Sequence, residues 1–209
     1  RLLQGLSRRL PAEELMPDEE IRRVKVWDPA LRLFHWTLAV LVIANFLLGK
    51  FGPNVMTLHF WLGYAILGLL IFRVIWGFVG PEPARFGSFV RGPGAILCYL
   101  RGMFRREPSH WPGHNPLGGL SVIAMLAVLL WQVGTGLISD PEDFINVGPL
   151  AGEVSSGTAV KAVGWHHTGA ALIMLLVVLH IAVILFYRLW KNEDLVRPMI
   201  IGWKWVRRR

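Results

Sequence analysis

Apolar residues fall into four runs, Leu33–Leu48, Leu58–Val79, Leu117–Ile138 and Val163–Trp190. Each approaches the about 20 residues a helix needs to cross a bilayer, the first once it is extended upstream to Pro29. A large soluble protein could bury one such run. Four in a chain of 209 residues predict an all-α, integral membrane four-helix bundle with both ends on one side. Polar punctuation marks the boundaries. Asp28-Pro29 reads as an N-cap followed by a first-turn proline, and Gly49 with Gly52-Pro53 stops the first span. Thr57 is expected to cap the second span and Gly80-Pro81 to end it, while Asn115-Pro116 opens the third. Between them, Pro93–Phe104 predicts a short amphipathic helix lying at the interface.

Composition agrees with lipid: 54% of residues are hydrophobic, the mean hydropathy is +0.46, and 17% charged residues are too few to clothe a soluble globule. Charge sets an expected orientation. Seven basic residues precede or begin the first span (Arg1 to Arg32), five occupy the middle loop (Arg85 to Arg106) and seven the tail (Arg188 to Arg209). The other two connections carry only Lys50 and Lys161, a positive-inside pattern that predicts cytoplasmic termini. The net charge of +8 then reflects topology and attraction to anionic lipid rather than nucleic-acid binding. The first 26 residues are charged and lack the apolar core of a cleaved signal peptide. The expected organisation is a cytoplasmic segment 1–26, a transmembrane domain 27–190 and a basic cytoplasmic tail 191–209. The segment Ser139–Ala162, with Asp140, Glu142, Asp143 and Glu153 against Lys161, becomes the acidic outer face. Most tryptophans, Trp27 among them, lie near span ends as interfacial anchors, whereas Trp131 sits deeper and is expected to contact a buried group.

His166 and His180 carry the chemistry. At about 100° per residue, fourteen steps return to within about 40° of the starting direction and rise about 21 Å, so both imidazoles face one way at two depths. Chain direction then gives two level-matched pairs: His35 with His180 toward the cytoplasmic side, and His59 with His166 toward the outer side. Two neutral imidazoles facing each other across a bundle are the axial ligands of a b-type haem. A lone intramembrane histidine could equally hydrogen-bond a neighbour or carry protons. His167 lies about 140° around the helix from His180, which favours His166 as ligand and leaves His167 for a propionate or backbone bond. Gly63, Gly134, Gly136 and Gly169 permit a flat macrocycle to approach, though small residues also serve plain helix contacts. Arg73, inside the second span, either snorkels to the interface or pairs with a propionate. Asn45 and Gln132 suit interhelical hydrogen bonds. His110 and His114 read as surface or interfacial residues, with contact to a quinone headgroup or propionate open to His114. Cys98 is the only cysteine, so covalent haem attachment by CxxCH, iron–sulfur ligation and an internal disulfide are all excluded. Nucleotide fingerprints are absent.

The segments VWDPALRLFHW (26–36), HFWLGYAILGLLIFRVIWGFVGPEPARF (59–86), GHNPLGG (113–119), WHHTGAALIMLLVVLH (165–180) and KNEDLVRPMIIGWK (191–204) resemble the bacterial cytochrome b561 family, which includes the b-type cytochrome subunits of membrane hydrogenases. The resemblance implies a dihaem electron carrier of the inner membrane, with two non-covalent haem b groups on His35/His180 and His59/His166. Similar sequences often have glutamate where this chain has His167. The function implied is electron transfer between the quinone pool and a periplasmic redox partner such as cytochrome c. The alternatives are a superoxide:quinone oxidoreductase, or the anchor subunit of a hydrogenase or dehydrogenase, although no separate hydrogenase-docking feature is legible. A non-redox transporter with proton-carrying histidines is the contrasting class.

Overall fold

The computed structural model describes residues 21–54, 56–106, 111 and 113–207. The acidic residues Glu13, Glu14, Asp18, Glu19 and Glu20, the basic residues Arg1, Arg8, Arg9, Arg208 and Arg209, and His110 lie outside the described residues. A short strand β1 (Ile21–Lys25) leads into α1 (Pro29–Phe51) and α2 (Thr57–Val79). A single 3₁₀ turn (Glu82–Ala84), α3 (Phe86–Phe89) and α4 (Pro93–Gly102) then connect to α5 (Pro116–Leu137). A second 3₁₀ turn (Ala151–Glu153) precedes the long α6 (Ser156–Trp190), and α7 (Val196–Ile201) and β2 (Trp203–Arg207) close the chain.

Four of these helices, α1, α2, α5 and α6, are long and apolar enough to span a membrane. They are apolar all round, and most of their side chains face away from the bundle: Leu33 and Leu189 are 71% and 78% exposed. A surface of that kind suits lipid, because apolar faces gain nothing by hiding from hydrocarbon. The interior is correspondingly slim, built from Trp27, Leu31, Phe34, Ile66, Leu70, Leu126, Leu129 and Ile173. α1 packs along α2, α5 along α6, and α2 also meets α5.

The caps explain where the helices begin. Asp28 accepts from the Leu31 amide at 3.0 Å, and Asn115 accepts from the Gly118 amide at 2.8 Å. Met56, rather than Thr57, occupies the N-cap of α2 and offers no side-chain bond. α6 begins at Ser156, seven residues before the apolar run, because the Ser155 side chain accepts from Thr158 N and starts a helix through the small and polar residues SGTAVKA.

One element departs from an all-helical expectation. β1 and β2 pair antiparallel, Ile21 opposite Arg207 and Lys25 opposite Trp203, so both tails meet at one end of the bundle. Gly202 makes this return possible. Its φ of 83° is left-handed, a Cβ there would lie 2.7 Å from the Trp27 carbonyl oxygen, and its own carbonyl accepts from Val26 N and Trp27 N at 2.9 and 3.2 Å. Arg32 also donates to the Ile200 carbonyl, and Trp36 Nε1 to the Met199 carbonyl. This end is called the tail side below, and the opposite end the hairpin side.

Candidate functional site

On the hairpin side, α2 and α6 bring His59 and His166 face to face, with ring centroids 6.0 Å apart and planes at 75°. Both rings are held from behind by helix backbone. His59 Nδ1 donates to the Asn45 carbonyl at 3.1 Å, and His166 Nδ1 donates to the Gln132 carbonyl at 2.9 Å. Because a carbonyl only accepts, these bonds put the ring proton on Nδ1 and leave Nε2 of each ring as an acceptor, which in His166 receives the Gln132 side-chain amide at 3.1 Å, a bond that a metal at this nitrogen would replace. Thr135 passes its own proton to the Trp131 and Gln132 carbonyls and lies 3.4 Å from His166 Nδ1 as an acceptor. Glycine makes room for the rings: a Cβ on Gly49 would lie 3.1 Å from His59 Cε1, and one on Gly136 2.8 Å from His166 Cε1.

A cavity of about 520 Å³ lies between these residues, lined among others by Asn45, His59, Gly63, Gln132, Gly136 and His166. That volume is within the range of small-molecule and cofactor sites. The connecting loops close over it. Asn146 receives the Met56 amide at 2.9 Å and donates to the Asn54 carbonyl at 2.8 Å, tying the α5–α6 loop to the α1–α2 turn. Asp143 holds that loop in shape, and amide bonds from Asn146 and Ile145 keep its carboxyl below the usual range.

On the tail side, α1 and α6 bring His35 and His180 together, with centroids 6.3 Å apart and planes at 52°. A metal–nitrogen bond of about 2.0–2.1 Å, with the ring centre about 1.1 Å beyond, would put two rings on opposite sides of one ion about 6.3 Å apart. Both pairs meet that spacing. Among the described residues no three His, Cys, Asp or Glu side chains converge on either pair. Buried polar atoms without partners also gather here: His35 Nδ1, Asn45 Oδ1, Arg73 Nη1, His114 Nδ1 and Gln132 Oε1 all lie on helices or turns that frame one pair or the other.

Several residues stand elsewhere than the sequence suggests. Arg73 does not snorkel: it is 2% exposed, with its guanidinium over the Phe86 ring at 4.8 Å. His114 is not superficial, for it packs between Trp27 and Phe89 at 4.7 and 4.8 Å. Trp27 is therefore buried rather than an interfacial anchor. Trp131 is half exposed and donates to the Trp165 carbonyl, not to a buried group. His167 is exposed at the rim of the hairpin-side cavity. Gln132 makes the expected interhelical bond, at 3.1 Å to His166 Nε2. Gly169 faces Gln132 and so serves the α5–α6 contact, whereas Gly134 faces open space. Gly49 does not stop the first span, since α1 runs past it to the cap at Gly52, and it makes room for His59 instead; Thr135 and the Phe86/Phe89 floor were missed by sequence reasoning.

Four apolar spans holding two facing imidazole pairs, one above the other, define a membrane-embedded b-type cytochrome-like protein. Comparison with known proteins makes the assignment specific. The profile of the family described as prokaryotic cytochrome b561 matches residues 26–202, and the chain belongs to that family. Similar curated proteins include a probable Ni/Fe-hydrogenase B-type cytochrome subunit of Azotobacter vinelandii, 25% identical over 89% of this chain and 91% of the relative. The protein of the same description from Rhizobium leguminosarum bv. viciae is 24% identical over 88% of this chain and 89% of its own length. No solved structure matches significantly. Family and spans together make this a multi-pass inner-membrane protein.

Proposed function

We propose that the protein is the haem-binding membrane subunit of a redox complex, taking electrons from a hydrogenase-like or dehydrogenase partner on the hairpin side and delivering them toward quinone. The observation that carries this reading is the pair of imidazole separations, 6.0 and 6.3 Å, at two levels of one bundle. His35 with His180 and His59 with His166 would each hold a haem b, which supplies a one-electron iron couple when bound. Arg73 and His167 are further contacts to the cofactors. The chain's own part is to fix the imidazole tautomers, keep water from the apolar interior and hold two sites about 21 Å apart along α6, from the rise per residue.

The curated relatives favour an anchor subunit over a free carrier for a periplasmic cytochrome c, because those relatives are named as hydrogenase subunits. The distribution of basic residues supports a cytoplasmic tail side and an outer hairpin side. The acidic α5–α6 loop, with Phe144 at its exposed tip, then faces the partner. Reduced-minus-oxidised spectra of the purified protein test this. Two b-type components are expected; His59→Ala and His166→Ala should remove one and the same component, and His35→Ala and His180→Ala the other. Loss in any other pairing refutes the assignment.

A further inference from the structure

The tail side holds polar groups that the facing imidazoles leave unused. Arg73 sits inside the bundle with Nη1 buried and without a hydrogen-bond partner. His114, one residue before the cap of α5, has Nδ1 in the same condition. A buried donor without an acceptor is costly, and more so if it is charged. With the ring proton of His114 on Nδ1, these are two donors at one end of the bundle that a single acceptor could satisfy. Among the described residues the carboxylate that acts on Arg73 is that of Asp28, whose oxygens accept from Leu31 N and Trp76 Nε1.

The surroundings fix both donors in place. Phe89 touches each: its ring is 4.8 Å from the His114 ring and 5.9 Å from Arg73 Cζ. Glycines lie against both residues. A Cβ on Gly77 would lie 2.1 Å from the Phe86 ring, and one on Gly119 2.6 Å from the Phe89 carbonyl oxygen. Burial, and after it the charges of Arg73, His180 and His35, push His114 down to about 4. His114 therefore shares its electrostatic neighbourhood with Arg73 and with the tail-side imidazole pair, and at neutral pH it is an uncharged N–H donor beside a fixed cation.

We infer that Arg73 and His114 form a carboxylate clamp for the prosthetic group held between His35 and His180, the acceptor being a propionate of that haem. This rests on the haem reading proposed above and adds His114 to it as a positioning residue. Arg73 contributes charge and a buried Nη1 donor, His114 a neutral Nδ1 donor, and the Phe86/Phe89 floor keeps both from turning away.

The test uses the full-length holoprotein, reconstituted with haem carrying ¹³C-labelled carboxylates, in a potentiometric titration of the α band and a redox-induced infrared difference spectrum. In His114→Ala and Arg73→Met, the midpoint of the couple that His180→Ala abolishes should fall, because lost donors and lost positive charge favour ferric iron. The couple that His166→Ala abolishes should not move. The label-sensitive carboxylate band should shift in both variants, and His114→Gln and Arg73→Lys, which keep a donor, should recover most of both effects and guard against misfolding. Unchanged midpoints in His114→Ala overturn the clamp. A carboxylate band indifferent to the ¹³C label overturns it too, and assigns the acceptor to a lipid phosphate or free anion. Absence of a b-type band from the wild type refutes the haem reading itself, and the clamp with it.

Discussion

Gly136→Ala tests the site through one methyl group. A Cβ at Gly136 would lie 2.8 Å from His166 Cε1 and 3.1 Å from Nδ1, short of ordinary 3.4 Å contact by about 0.6 Å at the closer atom. The ring cannot give way freely, because the Gln132 carbonyl holds Nδ1 at 2.9 Å from α5, the same helix that carries the new methyl. Overpacking of this kind costs about 1–3 kcal/mol. Since the strain falls on a proposed axial ligand, most of it should appear as weakened binding at the hairpin-side site, roughly 5- to 150-fold at 1.4 kcal/mol per tenfold. Gly134→Ala is the matched control. It adds the same methyl and the same gain in helix propensity on the same helix, but with nothing within 4 Å. The assay is haem per protein and the amplitude of each α-band component as free haem is titrated. Gly136→Ala should lose the component that His59→Ala loses and keep the other, while Gly134→Ala keeps both. Equal binding in the two variants would refute the placement of His166.

Two other outcomes follow from the tail side. Lys204 Nζ lies 2.6 Å from Glu193 Oε1 in a nearly buried ion pair and also donates to the Trp111 carbonyl. Lys204→Met should therefore cost about 3–5 kcal/mol and expose the tail to proteolysis, whereas Glu193→Leu/Lys204→Met should recover much of the loss. His114 gives a pH dependence: its folded value, about 4, lies below the ordinary 6.5, so the unfolded chain binds a proton in that window and the folded protein does not. In the haem-free protein, stability should fall by about 3 kcal/mol as pH drops from 6.5 to 4, at 1.36 kcal/mol per unit. His114→Gln should flatten that part of the profile of unfolding free energy; identical slopes in the two proteins would show that His114 is not buried neutral.

The spans were legible because a bilayer demands long apolar helices, and a run such as Leu58–Val79 can hardly mean anything else in this setting. The level of each histidine followed from chain direction alone, and the fourteen-residue interval of His166 and His180 needed only helical geometry. What stayed hidden depends on non-local contacts. Strand β1 reads IRRVK and β2 WKWVR, each too short and too charged to announce itself, and their pairing joins residues far apart in sequence. Ser155 caps a helix whose first turns are small and polar, so hydropathy placed its start seven residues late. His114 looks superficial in GHNPLGG because nothing local reveals that Trp27 and Phe89 close over it.

The two ends of the bundle differ in a way that bears on direction. Near the hairpin side, carbonyls of Asn45 and Gln132 accept from the Nδ1 atoms of His59 and His166. Such bonds make the imidazoles more electron-donating, which favours an oxidised metal, and the carboxylates of Asp140, Glu142 and Asp143 in the adjoining loop act in the same sense. The tail-side pair has no such bond at His35 Nδ1, while Arg73 lies buried nearby and Arg32 one turn before His35 on α1. Cations in that position favour a reduced metal. With a haem held at each pair, as proposed above, both differences would raise the potential of the tail-side centre above that of the hairpin-side centre. Transfer from the acidic hairpin face toward the basic tail face would then be downhill, the sense the proposed function requires.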